Sequence, residues 1–318
     1  MGIRFMRFPG GKAKALTFSY DDGVHPDRKL ISIFDRYKMK CTFNINAGLF
    51  APEGTVYPPN SVSGRLPKSE VYDLYANTPH EVAIHGYTHQ YMEQLPTSQL
   101  VSEIIEDRIA LEEMFGRRIT GGAYPFGTFN DDVVEALRLC GIKYCRTVIS
   151  TEDFAIPNDW LRLPATCHHK NPRLMELADL FLEHGIDRQP RLFYVWGHSY
   201  EFNMVQNWEV IENFCEKMAG KEEIWYATNI EIYDYIEAYK RLEYYADGKK
   251  VYNPTLVELW IYQDGVTYKI PSGATVELVD KLIVSDDGRK IENPTDTTVW
   301  FHYNKKNYEI PAGNTVTL

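Results

Sequence analysis

Three short groups of residues have the types and spacings from which a hydrolytic site can be built. Tyr20-Asp21-Asp22-Gly23 closes an apolar run. Adjacent carboxylates on extended backbone point to opposite sides, so one can hold a cation while the other faces a reacting water. An acidic turn is the plainer alternative, and the later Asp286-Asp287-Gly288 is read as no more than that. His85-Gly86-Tyr87-Thr88-His89 closes a second run. Histidines four apart share one face of a helical turn and can both offer nitrogen to one cation, most often Zn²⁺. With Asp22 they make two histidines and one carboxylate with positions left open, the form of a catalytic metal site. The His-Glu-x-x-His pattern is absent because Gly86 follows the first histidine. Trp196-Gly197-His198-Ser199 closes a third run. His198 titrates near neutrality and suits a general acid, the alternative being a satisfied core histidine. Ser199 is not read as a nucleophile, since Glu201 stands where a nucleophile elbow needs glycine. His168 and His169 are adjacent, so at most one can face a common site, and a loop role is expected for both. No phosphate-binding loop, dinucleotide fingerprint or Cys-x-x-Cys occurs.

These groups need a scaffold that brings several strand ends together. From Ala15 to about Thr228, apolar runs alternate with amphipathic stretches, the pattern of strands feeding helices in a mostly parallel sheet. Strands are predicted at 15–20, 41–46, 81–85, 119–124, 143–148, 162–166, 192–198 and 224–228, enough for a barrel. Helices are predicted at 26–39, 69–76, 97–115, 130–140, 172–184, 205–219 and 229–245, with Asn171 before Pro172 as one start signal. All three chemical groups fall at the C-terminal ends of predicted strands, where barrel enzymes keep their active sites.

After about Ala246 the helical period stops, and short β-rich runs separated by Gly-containing turns take over. The expected division is therefore 1–245 for the barrel and 246–318 for a small all-β, sandwich-like domain. Within the latter, Asn253, Pro254, Thr255, Trp260, Tyr268, Ile270, Pro271, Gly273, Thr275, Val276 and Leu278 recur forty positions on, from Asn293 to Leu318. That register reads as two copies of one strand-turn-strand unit burying their faces on each other. Trp260 and Trp300 are read as core, with sugar-stacking platforms as the alternative.

The 318 residues, 44% hydrophobic and 25% charged, suit a folded globular chain and exclude disorder, collagen and coiled coil. A formal charge of −10 argues against nucleic acid or anionic lipid as partner. No apolar run approaches the roughly 20 residues of a membrane span, and residues 1–16 lack a signal-like apolar block. Five cysteines, an odd number set mostly in apolar segments, suit buried thiols better than disulfides. The expectation is a cytoplasmic protein, a longer precursor with a removed signal being the alternative.

Thr17-Phe-Ser-Tyr-Asp-Asp-Gly23, His85-Gly-Tyr-Thr-His89, Ala123-Tyr-Pro-Phe-Gly127 and Trp196-Gly-His198, in that order, resemble the signature motifs of the polysaccharide deacetylases, the NodB homology domain of carbohydrate esterase family four. The resemblance covers about 15–240. It implies an α/β fold with a distorted (β/α) barrel, a divalent metal, and a metal-activated water that removes acetyl groups from an acetylated carbohydrate. It makes Asp21 the general base, Asp22, His85 and His89 the metal ligands, His198 the general acid, and the backbone N–H of Phe126 an oxyanion donor. Zinc is the expected metal, with Co²⁺, Ni²⁺ and Fe²⁺ also acceptable to such ligands. Tyr87, Tyr124, Trp160 and Trp196 are candidates for substrate contact.

Three departures stand out. Ala123 occupies the place of the arginine that normally braces the base, and Arg146 on the next predicted strand is the candidate replacement. Gly86 replaces a Ser or Thr that would orient the metal site. The family's Asp-Trp motif has only a loose counterpart in Asp159-Trp160. The competing functions are a metal-dependent amide hydrolase acting on a small non-sugar molecule, and a non-catalytic glycan-binding protein. The β domain could also serve as a homo-oligomer contact.

Overall fold

The protein was analysed as a computed structural model describing residues 3–58, 61–185, 188–278, 282–285, 288–295, 297–303 and 306–318. Asp286 and Asp287 lie outside the described residues.

The chain runs through β1 (Arg4–Arg7), β2 (Lys14–Asp21), α1 (Asp27–Arg36), β3 (Cys41–Ile45), α2 (Lys68–Tyr75), β4 (Glu81–Ile84), α3 (Thr97–Phe115), β5 (Gly121–Ala123), α4 (Asp131–Leu139) and β6 (Tyr144–Ser150). It continues with β7 (Leu163–Ala165), β8 (Cys167–His168), α5 (Leu174–Glu183), β9 (Arg191–Gly197), α6 (Tyr200–Val205), α7 (Glu209–Met218), β10 (Ile224–Tyr226) and α8 (Asn229–Tyr239).

The first sheet has the order β7-β6-β5-β4-β3-β2-β9-β8, all parallel, with β10 added beside the start of β2. β7 and β8 are the two halves of one extended stretch. The first half pairs with β6 and the second with β9, and Thr166 between them donates its N–H to Tyr194 O at 2.9 Å. That single stretch closes the ring into a barrel.

Side-chain parity explains how the wall is built. Leu16, Phe18 and Tyr20 of β2 join the apolar layer beneath the helices, where Phe18 and Tyr20 pack on Phe34 of α1. The alternating Thr17, Ser19 and Asp21 carry the polar contacts, because successive strand residues face opposite ways. Thr17 bonds Asn229, and Ser19 and Asp21 each accept from Asn44. Deeper in the same polar interior Glu81 accepts from Tyr144 Oη at 2.6 Å and Thr42 Oγ1 at 2.8 Å. These buried side chains take one another as hydrogen-bond partners, as burial favours.

Several boundaries differ from the sequence reading. The helix expected to reach residue 245 stops at Tyr239, and Glu243–Tyr244 form β11 against β12 (Lys250–Tyr252). A Thr228–Glu231 capping box fixes its start. The short α6 was not expected, and α5 begins at Leu174 rather than 172, with Asn171 Oδ1 accepting from Arg173 N.

The remaining strands are β13 (Leu259–Gln263), β14 (Val266–Ile270), β15 (Thr275–Glu277), β16 (Ile283–Val284), β17 (Lys290–Glu292), β18 (Val299–Tyr303), β19 (Lys306–Ile310) and β20 (Thr315–Thr317). They form antiparallel sheets, β11-β12-β15 and β16-β17-β20 and a five-stranded sheet β1-β13-β14-β18-β19. Asn253 Nδ2 donates to the carbonyls of Val257, Ile270 and Pro271, and Asn293 Nδ2 to those of Thr297, Ile310 and Pro311. Trp260 is buried, and its ring lies 4.8 Å from that of Trp300.

The expected division put residues 4–7 with the barrel, whereas β1 pairs antiparallel with β13 at the edge of the C-terminal sheet. Tyr235 of α8 holds this seam: its hydroxyl donates to Arg7 O at 2.6 Å and accepts from Trp260 N at 3.0 Å. All five cysteines are buried free thiols. Among the described residues no helix is long and apolar enough to cross a membrane.

Candidate metal-dependent active site

The ends of β2, β4 and β9 deliver Asp21, Asp22, His85, His89 and His198 to one place. Asp22 is the first residue past β2, in a positive-φ conformation (φ 88°) that turns its carboxylate away from the strand direction. Its Oδ1 lies 3.9 Å from His85 Nε2 and 3.7 Å from His89 Nε2. Ligand atoms of Asp22, His85 and His89 all fall within 4.8 Å of one another.

Hydrogen bonding fixes the chemistry of the first histidine. His85 Nδ1 lies 2.9 Å from Ala123 O, a pure acceptor, so Nδ1 carries the proton and Nε2 keeps its lone pair toward Asp22. Burial lowers the His85 pKa to about 4, keeping the ring neutral despite Asp21 and Asp22 nearby. Burial also lowers the pKa of His89. Two neutral imidazoles and a carboxylate fit a divalent cation such as Zn²⁺.

Gly86, one of the departures, has a structural reason. Its φ is +73°, and a Cβ there would stand 3.0 Å from Pro125 Cγ. The backbone on either side of the cluster is tied down by Asp107 of α3, which accepts from His85 N at 2.9 Å and Ala47 N at 2.7 Å.

Asp21 sits beside this set, with Oδ1 accepting from Asn44 Nδ2 at 2.8 Å. Its Oδ2 is ion-paired with Arg146, the residue expected on sequence grounds to stand in for the missing arginine. Burial alone would raise the Asp21 pKa, but Arg146, His85 and His198 together hold it well below the usual carboxylate range. His198 Nε2 lies 3.7 Å from Asp21 Oδ2. Burial disfavours a charged His198, yet the Glu201 hydrogen bond and the Asp21 and Asp22 charges outweigh it and raise its pKa.

Phe126 occupies a turn after β5 with φ 56°, its ring 4.4 Å from His89 and stacked on Tyr91 at 3.9 Å. Its backbone is thereby held beside the ligand set.

The substrate-contact candidates divide. Tyr87 packs over Gly48 and is half-buried. Trp196 borders the site, with the Arg146 guanidinium 4.4 Å above its ring and His198 at 6.0 Å, though it is mostly covered. Tyr124 is a correction: it is buried, stacked on Phe129, and its hydroxyl is spent on Leu161 O at 2.6 Å. Trp160 is another, being buried edge-on against Tyr233. Asp159 beside it caps a short turn and pairs with Arg162 instead of entering the site.

His168 and His169 are also corrected, since neither belongs to a peripheral loop. His168 ends β8, and both rings gather at Glu201 next to His198. Ser199 is buried and bonded to Asp27, in keeping with its rejection as a nucleophile.

Sequence reasoning missed Asn44, Arg65, Asp107 and Glu201. Arg65 Nη2 contacts Asp22 Oδ1 at 3.0 Å and its Nη1 bonds Asn46 Oδ1 at 2.7 Å, from a loop without any motif. Asp107 is masked by the charged residues of α3. Only Glu201 left a signal, an acid three residues after His198 on a strand-end turn.

Residues 9–145 match the family model described as polysaccharide deacetylase. Over that stretch the chain is similar to the polysaccharide deacetylase family. A candidate polysaccharide deacetylase from Mycobacterium smegmatis shares the fold at TM-score 0.53 and 16% identity, covering 76% of this chain and 96% of that one. Also similar is a family 4 carbohydrate esterase from Streptomyces lividans, solved with acetate (TM-score 0.44, 15% identity, 67% and 91% covered). A third is the Xyl-CE4 domain of a multidomain xylanase from the hindgut metagenome of Trinervitermes trinervoides (TM-score 0.46, 16% identity, 71% and 92% covered). No curated protein matches the sequence. The polysaccharide deacetylase family consists of hydrolases acting on acetylated carbohydrate, and in this chain the family match ends inside β6, before His198.

Proposed function

We propose that this chain is a metal-dependent hydrolase that removes acetyl groups from an acetylated carbohydrate, N-acetyl amides in preference to O-acetyl esters. One juxtaposition carries the reading: beside the Asp22, His85 and His89 ligand set stands Asp21, with His198 3.7 Å from it. A divalent cation held there, Zn²⁺ by donor type, would polarise the acetyl carbonyl and acidify a water.

Asp21 stays ionised, held by Arg146 and Asn44, and takes the proton of the attacking water. His198, with its raised pKa, delivers a proton to the departing nitrogen. That proton is indispensable for an amide, whose anion is too poor a leaving group. The Phe126 N–H is the proposed donor to the developing oxyanion, a role worth about 3 kcal/mol.

The test is metal content by elemental analysis in the wild type and in the His85→Ala/His89→Ala variant. It is paired with acetate release from an N-acetylglucosamine oligomer and an acetylated xylan, before and after chelation. About one metal per chain, lost in the variant, with chelator-sensitive acetate release supports the reading. Bound metal without acetate release would favour a non-sugar amide substrate, and a metal-free wild type after reconstitution would favour glycan binding alone.

A further inference from the structure

Behind His198 lies a second gathering of histidines on one carboxylate. Glu201, in the first turn of α6, has its side chain only 14% exposed. Its Oε1 takes Lys170 Nζ at 2.6 Å. Its Oε2 lies 3.1 Å from His168 Nε2, 3.3 Å from His169 Nε2 and 3.5 Å from His198 Nδ1, and also accepts from His198 N at 3.3 Å.

The ligand atoms of His168, His198 and Glu201 are close enough to hold a metal ion. The proton positions argue otherwise. His168 Nδ1 accepts from Lys170 N at 3.1 Å, so in the neutral ring the proton sits on Nε2, which then has no lone pair for a cation. This is the reverse of His85, whose Nδ1 donates and whose Nε2 is free to coordinate. The Lys170 ammonium on Oε1 further opposes a cation there. Glu201 is a carboxylate ringed by donors.

His198 Nδ1 is buried and makes no hydrogen bond of normal geometry among the described residues, and the carboxylate oxygen that faces it is Glu201 Oε2, 3.5 Å away. A buried N–H left without an acceptor is costly. Pointing Nδ1–H at Glu201 leaves Nε2 on the Asp21 side, the position from which a proton can be delivered. We infer that Glu201 is the positioning residue of the general acid, fixing the tautomer and orientation of His198 while Lys170 and His168 hold the Glu201 charge. The inference rests on the deacetylase reading for the role of His198, but its geometry does not. The titratable and charged groups around the His198 ring are Asp21 and Asp22 from β2 and its end, Tyr200 and Glu201 from α6, His168 at the end of β8 and His169 following it.

The experiment combines ring-nitrogen NMR, metal stoichiometry and kinetics on the full-length wild type, Glu201→Gln and Glu201→Ala, with His198→Ala for assignment. At a pH where the ring is neutral, the wild type should show the proton of His198 on Nδ1, and Glu201→Ala should shift it toward Nε2. One metal per chain is expected in both the wild type and Glu201→Gln. For Glu201→Gln, kcat on an N-acetylglucosamine oligomer should fall on the order of 10- to 100-fold with KM little changed. p-Nitrophenyl acetate, whose leaving group needs no proton, should lose much less. An unchanged tautomer in Glu201→Ala, equal losses on both substrates, or a second wild-type metal that vanishes in Glu201→Gln would overturn the inference. A wild type that releases no acetate would remove the deacetylase reading, and the nitrogen spectra would still decide the role of Glu201.

Discussion

The guanidinium of Arg146, on β6, is ion-paired with Asp21 at the end of β2, and both side chains are buried. The pair spans the barrel interior and sets the charge state of the proposed base. Opposite charge at contact favours the ionised form, and without it burial would push Asp21 the other way.

Arg146→Ala should therefore raise the pKa of Asp21, moving the acid limb of the kcat/KM profile to higher pH and lowering turnover near pH 6. Leaving one buried partner uncompensated should also cost about 3–5 kcal/mol of stability. A pH–rate profile and denaturant unfolding measure the two effects, and an unmoved acid limb would remove Arg146 from the site.

Asp27 supplies a stability prediction. It is buried beneath Ser199 and Tyr75, and burial lifts its pKa to about 7 from the ordinary 3.8. A native pKa above the unfolded one means stability that is present at low pH and lost as pH rises through the native value. Relative to Asp27→Asn, the wild type should lose stability between about pH 4 and pH 7, at up to about 1.4 kcal/mol per pH unit. Urea denaturation of both proteins at several pH values reads this out, and parallel curves would contradict it.

Gly197, just before His198, has almost no room. A Cβ there would stand 2.0 Å from His169 Nδ1. Gly197→Ala should lower the melting temperature through overpacking of about 1–3 kcal/mol, and should reduce activity by displacing His169 from Glu201. A thermal melt with a parallel assay checks both.

Phe126 separates side chain from backbone. Its φ of 56° is costly for anything but glycine, while its exposed ring stacks on Tyr91. In Phe126→Gly the relieved strain and the lost stacking should cancel to within about 1 kcal/mol. If the contribution to catalysis is the backbone N–H, kcat on a small acetyl ester should survive the substitution. A collapse of kcat in a protein that remains folded would mean that the ring itself is needed.

The sequence made most of the barrel and the candidate metal-binding cluster legible, for identifiable reasons. Strands such as β2 and β9 are buried throughout, so they read as unbroken apolar or alternating runs ending at Asp21 and Gly197. The clustering of Asp22, His85 and His89 was readable because the three sit at strand ends, where local motif and three-dimensional position coincide. Arg146 was found by asking which strand neighbours β5, a question of topology that the βα alternation answers.

Other residues were not legible because their meaning is set by distant partners. Tyr124 looks like a rim aromatic until Phe129 and Leu161 are placed against it. Asp107 and Arg65 act across α3 and an irregular loop, at no fixed spacing from what they hold. β1 is four residues long with nothing to mark it until its partner, more than 250 residues on, is known.

Arg4 Nε reaches Gln263 Oε1 across 259 positions of chain, because β1 is an edge strand of the C-terminal sheet. During synthesis at about 5–20 residues per second, the segment containing β1 must wait on the order of ten to fifty seconds for β13 to be made. Through that interval β1 carries an unsatisfied strand edge, tethered by a short turn to β2, the strand that holds the proposed base Asp21. A strand made some 250 residues later therefore decides when β1 stops searching for a partner.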